Sequence, residues 1–232
     1  MRWHTTSACL ARRYFVQALN LAHASGDRAL GGKVLALMSH QANFLGEYQE
    51  ALDFARAARH GATGAATATT QAMFCAMEAR VLASVGDRKA CIRSMRDAQA
   101  AFARGNLDDD PDWIRYFDSA ELHAEVAHCF TALRSPTDAV RHAAVSISGD
   151  HDAHPRSRTF CRVSLATSYL QRKEVEQACS TAIEALAIGG RIKSARVREY
   201  LQAFDRRLDE FGRARPITAF RDQARHILET AS

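Results

Sequence analysis

The stretch Leu35–Arg59, LALMSHQANFLGEYQEALDFARAAR, decides the fold. Leu35, Met38, Ala42 and Leu45 recur at three- and four-residue steps, the period of one helix face, and Ala51, Leu52, Ala55 and Ala58 do the same for a second helix. Gly46 stands between them, where a left-handed residue ends a helix without a Cβ clash. Glu47 puts negative charge near the positive end of the second helix, whose small residues let two backbones come close. The stretch therefore reads as two antiparallel helices and a tight turn.

The rest of the chain varies this theme. GDRKACIRSM, Gly86–Met95, repeats the turn in register, with Cys91 where Ala51 stood and Ile92 where Leu52 stood. A helix over Cys9–Ser25, with Leu10, Tyr14, Ala18, Leu21 and Ala22 as its apolar stripe, is expected to precede the first full hairpin after an irregular lead-in. Thr70–Val85 and Arg88–Arg104 form the next pair, and the acidic loop Gly105–Pro111 is expected to cap a long helix over Asp112–Leu133. Thr137–Ile147 is its partner; Arg158–Gln171 and Glu174–Ile188 make a further hairpin, followed by helices over Ser194–Phe211 and Pro216–Leu228. The expected organisation is a lead-in over 1–10, degenerate repeats over 11–190 and capping helices over 191–232.

Composition agrees with this class. The chain has 232 residues, 47% hydrophobic and 25% charged, with only 12 Gly and 4 Pro, a mixture that favours helix over sheet. No apolar run is long enough to span a membrane, and no signal-peptide pattern opens the chain. The cysteines Cys9, Cys75, Cys91, Cys129, Cys161 and Cys179 lie far apart, so they read as reduced core residues in a cytoplasmic setting. A net charge of +5 is spread along the chain and does not by itself specify nucleic acid.

Motifs for chemistry are missing. There is no GxSxG, HExxH or glycine-rich phosphate loop, so no catalytic residue, cofactor or enzyme activity is expected. His151, Asp152 and His154 are the tightest metal-like cluster, but they sit in one loop without helical spacing, and His123 and His128 do not share a helix face. The basic residues from Arg191 to Arg215 alternate with Glu199, Asp205, Asp209 and Glu210, the pattern of a salt-bridged solvent face.

These hairpins resemble the tetratricopeptide repeat, a helix–turn–helix unit of about 34 residues. Counted between Ala18, Ala51, Cys91, Ala139 and Ala178, the steps here are 33, 40, 48 and 39 residues, so the repeat is degenerate and a generic hairpin solenoid has the same pattern. The resemblance implies an all-α, right-handed superhelical array of antiparallel helix hairpins, with the first helix of each pair lining a concave groove for a protein or peptide. Placed in register, the groove residues are Lys33, His40, Asn43, Phe44, Arg80, His128 and Gln171, alongside Ala36, Met73, Ala76, Glu121, Ala124, Phe160, Val163 and Thr167. Lys33, Asn43 and Arg80 are donors suited to peptide carbonyls or a carboxylate.

A narrower likeness rests on Ala11–Leu52, on DPDWIRYFDSAELHAE, and on SLATSYLQRKEVEQAC with GGRIKSARVREYLQAF. These phrases resemble the carboxy-terminal repeat regions of actinobacterial helix-turn-helix transcriptional regulators of sporulation and antibiotic production. The DNA-binding domain of those regulators has no counterpart here, so direct DNA binding by this chain is not expected. The resemblance implies a regulatory interaction module that binds a protein, a peptide signal or a second copy of itself. Two functions stay open: a scaffold whose groove holds a protein segment, and a sensor that binds a small signalling peptide and changes its dimer state.

Overall fold

The computed structural model describes residues 2–148, 155–189 and 194–229, with the backbone alone for residues 2–9, 107, 195 and 229. Among them every regular element is helical: α1 (Arg2–Ala24), α2 (Arg28–Leu45), α3 (Tyr48–Gly61), α4 (Ala68–Ser84), α5 (Arg88–Phe102), α6 (Ser119–Ala132), α7 (Pro136–Ser148), α8 (Pro155–Gln171), α9 (Val175–Gly189), α10 (Ala195–Leu208) and α11 (Arg215–Glu229). Short 3-10 turns occupy Leu107–Asp109 and Asp209–Phe211. The chain divides into two compact units, Met1–Phe117 and Asp118–Ser232. In the first, α2–α3 and α4–α5 are hairpins and α1 lies against α2; in the second, α6–α7 and α8–α9 are hairpins and α10 and α11 close onto α8 and α9. This is the all-α architecture of antiparallel helix hairpins expected from the sequence.

One turn recurs between the helices. After α2, Gly46 takes φ +82°, its N–H donates to Asn43 O at 3.2 Å, and the Glu47 N–H donates to Ala42 O at 2.9 Å. The same pair of bonds closes α1 at Gly26, α4 at Gly86, α6 at Arg134 and α8 at Lys173. This is the Schellman closure, which satisfies the last carbonyls of a helix through one left-handed residue. Glycine takes that conformation freely, whereas Arg134 (φ 53°) and Lys173 (φ 64°) hold it against the clash of a Cβ. After the turn, Asp27 and Asp87 cap α2 and α5 by accepting from the Leu30 and Ala90 N–H, each at 2.9 Å.

The hairpins close over small residues. Ala51, Cys91, Ala139 and Ala178, each five residues beyond its turn residue, are at most 1% exposed. Gly32 shows how tight the approach becomes: a Cβ built there would lie 2.7 Å from the Phe74 ring and 3.2 Å from the Ala62 Cβ, whereas one at Gly31 would meet nothing nearer than 3.9 Å. In the second unit one apolar core joins Phe160 and Leu170 of α8, Ala182 and Leu186 of α9, Leu201 and Phe204 of α10, and Ile217 and Phe220 of α11. Phe204 meets Phe220 edge-on at 5.2 Å.

Three expectations are corrected. The irregular lead-in is replaced by helix from Arg2 onward. The buried side of α1 is also turned from the expected stripe: Ala22 is buried and Phe15, Ala18 and Leu19 are half-buried, while Leu10, Tyr14 and Leu21 are exposed by 49%, 62% and 72%. Two apolar faces run along this helix, and the one with the smaller residues fits against α2. Finally, the helix expected over Asp112–Leu133 begins only at Ser119, where Asp118 accepts from the Glu121 N–H at 2.8 Å; the cap is Asp118, not the acidic loop. The preceding turn buries Ile114 and Phe117 in the first unit, with Phe117 edge-on to Phe102 at 6.4 Å. Cys75, Cys91, Cys129, Cys161 and Cys179 are buried and form no disulfide, and the Cys9 side chain, like Gly190 and residues 149–154 with His151, Asp152 and His154, lies outside the described residues.

Two changes test this geometry by thermal unfolding. Gly31→Ala should stabilise by about 0.5–1 kcal/mol, the helix-propensity gain, and Gly32→Ala should destabilise by about 1–3 kcal/mol through its clash with Phe74. Lys173→Gly should raise stability by about 1 kcal/mol by relieving the left-handed turn, whereas a glycine placed at Arg172 should lower it.

Candidate functional site

The residues expected in a binding groove fall into two sets, one in each unit. On α2, Lys33, Leu37, His40 and Phe44 follow steps of four, three and four, which aligns them on one face. Leu37 is 40% exposed, an apolar side chain between polar neighbours that the sequence reading passed over in favour of Ala36. Ala36 is buried, as are Met73 and Ala76 on α4, so these three form floor and core rather than a contact surface. His40, Phe44 and Arg80 are half-buried. Asn43 is half-buried: its Oδ1 is buried and accepts no hydrogen bond among the described residues, as is true of Ser39 Oγ.

Lys33 is already engaged. Its Nζ donates to the Tyr116 hydroxyl and stands 4.2 Å from the centre of that ring, so the turn before α6 is tied back to α2. In the second unit, Gln171 Nε2 donates to Thr131 O at 3.0 Å, and the Thr131 hydroxyl bonds Ser164 Oγ at 2.8 Å and Ser168 Oγ at 2.9 Å. Gln171 thus joins α8 to α6. His128 is half-buried and meets Tyr200 edge-on at 6.4 Å. Of the lining residues named with it, Ala124, Phe160, Val163 and Thr167 are buried, and Glu121 is half-buried and accepts from the Ser157 hydroxyl.

Two polar groupings were not legible in the sequence. His123 of α6 pairs with His142 of α7: their Nδ1 atoms are 2.9 Å apart and the rings stack at 5.0 Å, and Phe130 stacks with His142 at 5.7 Å. One Nδ1 must donate and the other accept, so the pair holds together only while one ring is neutral at that nitrogen. Burial, then the nearby His123 and Arg141, push His142 down to about 4, against a smaller opposing pull from Asp138; burial and Arg141 also lower His123.

The second grouping lies where α3, α4 and α5 meet. Arg59 bridges Glu78 at 2.9 Å and Asp97 at 2.6 Å, and Arg56 reaches Glu78 at 3.4 Å. Ser94 donates to Cys75 O at 3.1 Å and to Glu78 at 3.4 Å. Burial opposes the charge on Arg59, but hydrogen bonds to Glu78 and Asp97 outweigh it and raise that group above the ordinary guanidinium value. Arg93 and Arg96 line the same cleft, about 270 Å³ in volume.

Within the stretch Arg191–Arg215, Asp205 of α10 and Asp209 of the 3-10 turn after it both pair with Arg221 of α11, at 2.7 and 2.6 Å, and the Arg196 guanidinium lies 4.2 Å from the centre of the Phe160 ring. Arg191 and Lys193 lie outside the described residues. No group of three or more metal-binding side chains occurs among the described residues, and no described helix is long and apolar enough to cross a membrane.

No protein-family model and no curated protein matches the chain. Among solved structures, BtubC (BKLC) from P. vanneervenii is similar at a TM-score of 0.60 with 16% identity, over 97% of this chain and 90% of that one. Two structures of the nearly identical TPR-like repeats of a Podosopora anserina chain assigned as a kinesin light chain follow. The Q17M form has a TM-score of 0.49 and 15% identity over 80% of this chain and 93% of that one, and the other form 0.47 and 15% over 82% and 97%. At such identities the BtubC likeness speaks for the fold alone.

The histidine pair makes stability depend on pH. Because the folded-state value of His142 is depressed, its contribution is complete above the unfolded value near pH 6.5 and is lost as pH falls toward 4, by ~2–3 kcal/mol at the acid limit. Denaturant midpoints measured from pH 7 to 4.5 should fall more steeply in the native chain than in His142→Asn, which keeps a short polar side chain but does not titrate.

Proposed function

We propose that the chain is a non-catalytic module that binds a protein or peptide segment through the first helices of its hairpins, in the service of a regulatory protein. The observation that carries this reading is the α2 face, where Leu37 stands exposed between Lys33, His40 and Phe44. An apolar anchor with polar neighbours at helical spacing suits an extended segment or an amphipathic helix, whose own anchors would cover Leu37 while its backbone meets the polar groups. His40, Phe44 and Arg80 belong to this surface, with His128 as the corresponding position in the second unit. Lys33, Asn43 and Gln171 take a supporting part, since Lys33 and Gln171 hold neighbouring segments in place and the Asn43 carbonyl is buried.

The link to transcription and to an actinobacterial source is supported by the sequence resemblance alone. A cytoplasmic setting fits the buried, reduced thiols Cys75, Cys91, Cys129, Cys161 and Cys179. A second reading, a sensor that binds a small peptide and changes its dimer state, draws on the uncovered stripe Leu10, Tyr14 and Leu21 of α1, with a second copy of the chain as its occupant.

Peptides selected against the full chain from a random display library, then titrated by fluorescence anisotropy, test the first reading. Leu37→Glu should weaken them by about tenfold or more with helicity unchanged by circular dichroism. Equal affinity in that variant would move the interface off α2.

A further inference from the structure

The cleft between α3, α4 and α5 has a charge surplus that its own contacts do not use. Its floor is Glu78, only 8% exposed, which with Asp97 fixes Arg59 from two sides. With Arg56 the cluster is neutral, two guanidinium groups against two carboxylates. Arg56 adds a long contact of 3.4 Å to Glu78, and Arg93 and Arg96 enter no ion pair among the described residues although they line the same cleft. Arg56 and Arg59 are three apart on α3, and Arg93 and Arg96 are three apart on α5, so each pair shares its helix face and both pairs line the cleft. Four guanidinium groups against two carboxylates leave a surplus of two positive charges. Among the described residues that line the cleft no further carboxylate offsets that surplus, and like charges on one wall repel.

We propose that this cleft is a binding site for a phosphoryl group, with Arg93 and Arg96 as its open donors and Arg56 and Arg59 as the positioned wall behind them. A phosphoryl dianion carries about −1.5 to −2 charges and three acceptor oxygens, which matches the surplus and the number of converging forks better than a single carboxylate. The cleft volume of about 270 Å³ holds one such group with its attachment, not a run of them. The carrier can be a phosphorylated peptide or a free phosphorylated small molecule, since both present the same oxygens. The site stands apart from the α2 face and does not depend on the function proposed for it.

Calorimetric titration of the full chain with inorganic phosphate, and with an acetylated alanine peptide bearing one central phosphoserine or its unphosphorylated form, decides the matter. The phosphoryl probes should bind and the unphosphorylated peptide should not. A phosphopeptide at least about tenfold tighter than inorganic phosphate identifies a peptide carrier, and equal affinities identify a small-molecule one. Arg93→Gln with Arg96→Gln should weaken phosphate binding by about tenfold or more and, because the pair only adds repulsion, should melt no lower than the native chain. Leu37→Glu should leave phosphate binding intact. Undiminished binding in the double variant, a lowered melting temperature there, or no phosphate binding by the native chain would each overturn the assignment.

Discussion

Every hairpin in this protein depends on how near two helix backbones can come just after they reverse. The reversal takes one left-handed residue, and five residues later the returning helix lies against its partner with almost no room for a side chain. Ala51, Cys91, Ala139 and Ala178 fill that place with almost nothing exposed to solvent. A larger side chain there would push the helices apart and uncover the apolar residues beyond it, since interiors packed at crystal-like density absorb little extra volume. Turn and contact are therefore one constraint, and the identity of the other residues is comparatively free. This explains how loops of quite different length can separate hairpins of the same form.

That constraint also decides what could be read from the sequence. The small residues were legible at all four places, because alanine or cysteine flanked by larger apolar residues at helical spacing is a local signal. The turns were legible where glycine marks them, at Gly46 and Gly86. In the second unit Arg134 and Lys173 occupy the left-handed position, and neither residue type advertises it. The residues Trp113–Phe117 have helical spacing, yet they form a turn because Ile114 and Phe117 find their burial in the first unit while Asp118 starts the helix. On α1, two apolar faces compete, and only the shape of α2 chooses between them.

The residues expected to meet a partner lie on α2, α4, α6 and α8, and several of them make contacts inside the chain. Spacing can put a residue on a face; it does not reveal that Tyr116 accepts from Lys33 or that Gln171 reaches the Thr131 carbonyl, both contacts between residues far apart in the chain. The histidine pair and the arginine cleft share this property. His123 and His142 come from two helices, and the residues around Glu78 come from three. Chemistry assembled from different helices leaves no motif, so the sequence shows its members singly.

The buried thiols extend this picture to the way the molecule opens. Burial raises Cys75 and Cys161 to about 11 and raises Cys179 as well, so all three are protonated and shielded at neutral pH. Alkylation must then wait for the helices around each sulfur to separate. With Cys75 and Cys91 in one unit and Cys129, Cys161 and Cys179 in the other, the chain carries its own clocks for local unfolding, able to time which half loosens first without any label being introduced.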